Sequence, residues 1–342
     1  MRVAVLGVGA MGCLFGCRLS KVAEVILVGS WAEQLEKLRS EGLEVEELDG
    51  RITRHRIEAT AEVADAGPAD LVLVLVKSRD TERAARQARE VLAPGGLVLT
   101  LQNGLGNLEI LAAAVGADNA ALGVSVQAAT VVAPGKIRHA GAGPTRLART
   151  PATEARLRQV AELFREAGLE TQVVADARQL VWGKLAVNAA INPLSALLGV
   201  VNGEVEADPR SRSLLLRAAR EVEAVALAQG IELAFPDAGE QARNVCRATA
   251  ANRSSMLQDL ARGVPTEIDV MSGAIVARGR KYRVATPVNE ALWRMVRERE
   301  RRPVTQEWIS PLGPGEEEEI RELLEARRSE GPARRSDPDG RV

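Results

Sequence analysis

The chain has 342 residues, a formal net charge of −1, 46% hydrophobic and 27% charged residues, which suits a globular protein of two domains. Charge this close to balance excludes electrostatic capture of nucleic acid or an anionic membrane, and 2% aromatic residues leave no platform for stacking bases. Cys13, Cys17 and Cys246, with His55 and His139, form no disulfide framework, no metal-ligand spacing and no histidine triad, and sparse cysteines suit a reducing cytoplasm.

The chain opens on MRVAVLGVGAMG, which lacks the pattern of a targeting segment, and its longest apolar run, LVLVLV at 71–76, is too short to span a bilayer. A cytoplasmic protein is expected. RVAVL at 2–6 reads as a strand covered on both faces, followed by a helix through Leu19. EVILV at 24–28 is a second strand, and Ala32–Ser40 a helix. The segment 43–60 suggests a hairpin turning at Asp49-Gly50. DLVLVLV at 70–76, a helix over 80–92 and GLVLTL at 96–101 continue the alternation. Strands near 120–127, 129–139 and 145–148 are expected to complete one sheet. Such βαβ alternation predicts an open parallel sheet with helices on both faces. From about residue 175 the strand signals stop, and helices are expected over 176–199, 209–229, 237–259 and 265–281. The predicted organisation is therefore α/β: a Rossmann-type doubly wound domain at 1–174 and an all-helical domain at 175–300. A charged, weakly ordered tail follows at 301–342, with one short helix near Glu316–Arg328.

The loop GVGAMG places Gly7, Gly9 and Gly12 after the first strand and at the start of the first helix, the context a dinucleotide-binding loop requires. Gly7 permits the turn, Gly9 the approach of a pyrophosphate, and Gly12 close packing of helix on strand. The N–H groups at Ala10, Met11 and Gly12 open the helix and offer an anion site. At the end of the second strand, Val28-Gly29-Ser30-Trp31 holds no acid to grip a ribose 2′-hydroxyl and no arginine to clamp a 2′-phosphate. Ser30 can donate a hydrogen bond there, while Glu33 just beyond argues mildly the other way. The corner leans toward NADPH, with NADH the lesser expectation.

Ligands bind at the carboxyl ends of parallel strands, so Lys77 after LVLVLV and Asn103 after GLVLTL are candidates; a strand cap and a simple turn are the bland readings. The helix WGKLAVNAAINPL sets Lys184, Asn188 and Asn192 four residues apart, roughly 400° per step, which lines them on one face. One cation and two amides among small apolar residues suit a cleft wall better than a solvated stripe. Pro193 is expected to bend or break the local hydrogen bonding. Downstream, NRSSMLQDL brings Asn252, Ser254, Ser255 and Asp259, and TEIDVMSG brings Glu267 and Asp269.

Taken together, VLGVGAMG, LVLVKS, QNGLGN, WGKLAVNAAINPLSA, NGE at 202–204, SSMLQD and TEID closely resemble the ketopantoate reductase (2-dehydropantoate 2-reductase) family from residue 1 to about 300. The resemblance implies NADPH-dependent reduction of a 2-keto acid to pantoate, toward pantothenate and coenzyme A. It implies Lys184 and Glu267 as catalytic residues. Lys77 and Asn103 would line the nicotinamide and ribose, and Asn103, Lys184, Asn188, Asn192, Asn202, Asn252 and Ser255 would meet substrate. Ser30 departs from the family, which often carries a basic residue there. Glycerol-3-phosphate-type and hydroxyisobutyrate-type dehydrogenases share the glycine loop but do not require SSMLQD and TEID. Reduction of another small 2-keto acid, and a catalytically silent NADP-binding sensor, remain as alternatives. The expected partner is a small-molecule keto acid, with no nucleic acid, no membrane and no metal, and with a homodimer left open.

Overall fold

In the computed structural model, which describes residues 1–301 and 316–329, the β-branched N-terminal run forms β1 (Arg2–Leu6) and passes into α1 (Ala10–Leu19). There follow β2 (Glu24–Val28), α2 (Ala32–Ser40), β3 (Leu43–Glu46), β4 (Ile52–His55), β5 (Glu58–Thr60), β6 (Ala69–Val74), α3 (Thr81–Val91), β7 (Leu92–Thr100) and α4 (Asn107–Val115). Next come β8 (Ala120–Ser125), β9 (Ala128–Ala133), β10 (Lys136–Gly141), β11 (Thr145–Ala148), α5 (Glu154–Glu166) and β12 (Thr171–Val174). The chain divides into two units, Met1–Val181 and the part beginning at Trp182.

In the first unit eight strands form a sheet in the order β12-β11-β8-β7-β6-β1-β2-β5, parallel throughout except where β11 meets β8. Period-two alternation sorts its side chains. Val3, Val5, Leu71, Leu73, Leu97 and Leu99 point to the face packed with Phe15 of α1 and Phe164 of α5. Ala4, Leu6, Val72, Val74 and Val98 point to the other, against Ala84, Ala85 and Ala88 of α3. Continuous apolar strands are what a sheet covered twice requires. The Phe15 and Phe164 rings meet at 5.6 Å between centroids.

The expectation of one sheet is corrected. Segment 129–139 is a hairpin, β9–β10, turning at Gly135 (φ +75°), and with β3–β4 it makes a second sheet in the order β4-β3-β10-β9. The reason is patterning. Leu43, Val45, Ile137 and His139 are buried while their neighbours are not, so these strands have one apolar face and cannot sit in the doubly covered sheet. That face covers α1. Buried Gln34 of α2 ties the turn down by accepting from the Gly135 N–H at 2.8 Å. Beneath the second sheet, Arg18 of α1 makes a two-pronged ion pair with Glu47, which also accepts from Thr53 Oγ1 at 2.8 Å. His139 Nδ1 lies 3.8 Å from the same carboxylate. α4, α5 and β12 escaped the sequence reading.

The second unit is helical: α6 (Arg178–Leu198, entering from the first unit), α7 (Asn202–Ala207), α8 (Pro209–Leu227), α9 (Ala238–Ala248), α10 (Ser255–Ala261), α11 (Ala274–Tyr282), α12 (Pro287–Glu300) and α13 (Glu316–Ser329). α13 falls at the expected short helix, while 302–315 and 330–342, the rest of the expected weakly ordered tail, lie outside the described residues. Pro193 does not end α6, which runs on to Leu198. The helix expected over 237–259 is interrupted after Ala248, where carbonyls of Ala250 and Asn252 accept from Gly203 and Asn202, and Ser254 restarts it by capping α10. The segment before α11 is a π-turn at Asp269–Gly273, not α-helix. α8 buries Leu214, Leu215, Ala218, Ala219, Val222 and Val225. Its Glu221 carboxylate caps α12 by accepting from Val288 N and Asn289 N at 2.8 and 2.9 Å. Among the described residues no helix is long and apolar enough to cross a membrane.

Hydrogen bonding to Arg18 holds the Glu47 carboxyl down at about 2, below its ordinary 4.5, so this pair stabilises the fold above pH 4.5 and loses that contribution as pH falls toward 2. Burial lowers both His55 and His139 from 6.5, so below that pH the unfolded chain takes up more protons and stability falls as well. Thermal melting from pH 8 to pH 3 is expected to drop in two stages, and Glu47→Gln should flatten the lower stage while lowering stability at pH 7 by roughly 2 kcal/mol.

Candidate active site

The turn from β1 into α1 has no room for a side chain at two of its three glycines. Gly7 has φ +127°, and a Cβ on it would lie 2.8 Å from the Leu75 carbonyl. A Cβ on Gly12 would lie 1.8 Å from the Gly7 oxygen, so helix and strand approach at backbone distance. Gly9 differs: it is exposed, and a Cβ there would meet nothing within 4 Å. The first helical hydrogen bond is Cys13 N–H to Gly9 O at 2.9 Å, so helix geometry gives the N–H groups of Ala10, Met11 and Gly12 no intrahelical acceptor. No acid stands in the first turn of α1. An open cradle of N–H groups at a positive helix end fits a diphosphate.

The strand tips beside this loop are locked by a polar knot. Thr81 Oγ1 donates to Asn107 Oδ1 at 2.9 Å, and Gln102 Nε2 donates to the Val76 carbonyl and Thr81 Oγ1, both at 2.9 Å. Asn107 Nδ2 donates to the Asn103 carbonyl at 2.9 Å, and Ser78 Oγ to the same carbonyl at 3.3 Å. The knot fixes the half-buried Lys77 and Asn103 on adjacent loops. Gly104 and Gly106, at φ +82° and +99°, let the second loop turn back into α4. Sequence reasoning took Lys77 and Asn103 as site residues, saw Gln102 and Asn107 only as polar groups of QNGLGN leaving a strand tip, and missed Thr81 and the knot that joins the three. Their signal was three hydrogen-bonding side chains at two strand tips, legible only once those strands are known to be neighbours.

In the second unit, α6 carries Lys184 and Asn188 half-buried and Asn192 buried, flanked by buried Leu185, Ala186, Ala189 and Ala190. Burial pushes the Lys184 ammonium down from 10.5 to about 8, and the nearby Glu267 carboxylate, itself buried, opposes that shift. Two contacts draw other candidates to the same helix. Asn192 Nδ2 reaches Met271 Sδ at 4.0 Å, and Met271 N–H donates to the Glu267 carbonyl at 3.2 Å. Ser195 Oγ donates to Ser254 Oγ, which caps α10 directly before the exposed Ser255. Asn202 and Asn252 are joined through backbone, Asn202 N–H donating to Asn252 O at 2.9 Å. Asn202 Nδ2 donates to Thr249 Oγ1 at 2.9 Å, leaving its Oδ1 buried with no hydrogen-bond partner among the described residues. Asn252 itself is exposed. Asp259 turns to Arg262 at 2.8 Å and Asp269 to Trp293 at 2.6 Å, so both serve local structure.

The family described as "Ketopantoate reductase PanE/ApbA" matches residues 3–152, and its C-terminal counterpart matches residues 176–300. The chain belongs to the ketopantoate reductase family. A Halobacterium salinarum protein named 2-dehydropantoate 2-reductase is 42% identical over 301 residues, covering 87% of this chain and 98% of that protein. Among solved structures, a PanE/ApbA family ketopantoate reductase from Ralstonia eutropha JMP134 is similar with a TM-score of 0.81 and 33% identity, covering 88% and 99% of the two chains. A D-mandelate dehydrogenase solved with NADH and anilino(oxo)acetate is similar with a TM-score of 0.83 and 26% identity, covering 88% and 98%.

The glycine loop of this ketopantoate reductase family member makes a clear distinction between two substitutions. Gly9→Ala should leave the melting temperature unchanged while weakening dinucleotide binding by roughly tenfold or more, because the new methyl occupies only the open side of the cradle. Gly12→Ala should destabilise the fold itself by more than about 3 kcal/mol, because its methyl meets backbone. Melting curves and titration with a reduced dinucleotide measure both; equal stability losses would refute the assignment of the open side.

Proposed function

We propose that the chain reduces 2-dehydropantoate to pantoate with NADPH, a step toward pantothenate and coenzyme A. Lys184 carries this reading: a half-buried ammonium brought to about 8, opposed by a buried carboxylate, on a helix whose same face carries Asn188 and Asn192. The reduced nicotinamide, when bound, supplies hydride to the C2 carbonyl. As the carbonyl oxygen becomes an alkoxide, the Lys184 ammonium stabilises the charge and then donates its proton from Nζ. Burial eases release of that proton, Glu267 opposes the shift, and its carboxylate is assigned either to orienting the lysine or to holding the substrate hydroxyl. Asn188, Asn192 and Ser255 are assigned to the substrate carboxylate and hydroxyl, which neutral groups hold without adding charge. The orphaned Oδ1 of Asn202 suits a donor from the substrate, and exposed Asn252 a peripheral contact. The N–H groups at Ala10, Met11 and Gly12 are assigned to the diphosphate, and Lys77 and Asn103 to the nicotinamide end, Asn103 also touching substrate. Residues 1–174 would then be the dinucleotide-binding domain and 175–300 the substrate domain, with the reaction in the cytoplasm.

A second reading, reduction of a different small 2-keto acid, is favoured by the likeness to a D-mandelate dehydrogenase with NADH and anilino(oxo)acetate. Initial rates on a panel of 2-keto acids with NADPH and NADH separate the two: 2-dehydropantoate should have the highest kcat/KM, and an aryl keto acid ahead of it would favour the second.

An acid that must be protonated gives a pH profile of definite sign. The reductive kcat should be level on the acid side and decline above about pH 8, and the reverse oxidation of pantoate should rise through the same pH. Lys184→Ala should keep dinucleotide affinity and lose kcat by roughly a hundred- to ten-thousandfold. Near-normal turnover of 2-dehydropantoate by that variant would rule out the assigned role.

A further inference from the structure

Along the sequence, the end of β2 offers no arginine to the cofactor. The fold brings one from another element. Arg83, on the first turn of α3, places Nη1 3.4 Å from Ser30 Oγ, across 53 residues of chain. Its Nη2 is held by Asp80 Oδ1 at 3.0 Å, and the other oxygen of Asp80 lies 3.6 Å from Arg79 Nε. Two guanidiniums thus flank one carboxylate. Arg83 and Ser30 are both exposed, so their pairing contributes little to folding, and an exposed ion pair to Asp80 contributes little more. What Asp80 does is orient: it fixes one edge of the guanidinium and turns the Nη1 edge toward Ser30. A dinucleotide lying over the glycine loop after β1 sets its adenosine ribose at the carboxyl end of β2, where Ser30 stands.

We propose that Arg83 reads the ribose 2′-phosphate, with the Ser30 hydroxyl as its second donor, and that this pair makes the chain prefer NADPH over NADH. The assignment rests on the reductase reading above and adds the residue that sets its cofactor choice. A planar guanidinium with several N–H donors matches phosphate oxygens, and a charge-assisted bond there outweighs one to a neutral ribose hydroxyl. Asp80 would repel the phosphate if it faced it unpaired, but both of its oxygens face guanidiniums.

Calorimetric titration of the full chain with NADPH, NADH and adenosine 2′-monophosphate tests this without turnover. Arg83→Ala and Arg83→Gln should each weaken NADPH and adenosine 2′-monophosphate by roughly ten- to hundredfold, with NADH affinity retained as proof of an intact site. The dependence of NADPH affinity on salt should also become shallower in both variants. Equal losses for NADPH and NADH, no loss for NADPH, or a wild-type chain that binds NADH as tightly as NADPH would overturn the assignment. Keto-acid reduction is measured separately with either nucleotide, so a chain that turns over 2-dehydropantoate yet ignores Arg83 would sink this assignment alone.

Discussion

The approach of α1 to β1 at backbone distance is the constraint on which the first unit hangs. The Gly7 oxygen stands where a Cβ of residue 12 would be, so the helix can begin only against the strand tip. Three consequences follow from that one contact. The helix N-terminus opens beside the tips of β1 and β6, where a phosphate can be met by N–H groups. α1 lies flat enough to bury Cys13, Leu14, Phe15 and Cys17 on the sheet. Its outer side then needs its own cover, which the one-faced second sheet provides. The three buried thiols belong to this packing and to that of the helical unit. Burial pushes Cys13 and Cys246 up to about 12 and Cys17 to about 11, far from a reactive thiolate.

The second unit turns on an electrostatic compromise. Burial lowers the Lys184 ammonium from 10.5 to about 8 against the opposing pull of Glu267, so its charged form is under strain. A solvated lysine would avoid that strain but would hold its proton too firmly to release it near neutral pH. Full burial without Glu267 would go further and strip the charge that the proposed role requires. The observed pairing sits between these limits. Neutral amides at Asn188 and Asn192 extend the polar stripe without disturbing it, whereas another lysine would lower the pKa further and another glutamate would raise it.

Continuous apolar runs and glycine spacing made much of this legible in the sequence. β1, β2, β6 and β7 carry their own pattern, and the GVGAMG loop lies between a strand and a helix as expected. The four-residue stripe on α6 was visible because helical periodicity is local. Pairings across long stretches of chain were hidden. Nothing in residues 129–139 announces that its partner is residue 43–46, and nothing near Ser30 announces Arg83. Pro193 has no N–H to donate to the Ala189 carbonyl, so local hydrogen bonding is lost there as its sequence implies, yet a segment buried from Ala189 to Ala196 carries the helix on. The interruption near residue 250 depends on α7 docking its N-terminus there, which no window of sequence spanning 237–259 contains.

The second sheet also bears on how the chain comes together. Glu44–Glu46 pairs in parallel with Lys136–Arg138, so the sheet's central seam joins segments about ninety residues apart. Closing so long a loop is entropically slow, and parallel pairing cannot begin from a tight turn. During synthesis, the glycine loop and α1 emerge early but must wait for the residues through 141 before their outer face is shielded. Until then the apolar sides of α1 and of β3 stand open to neighbours.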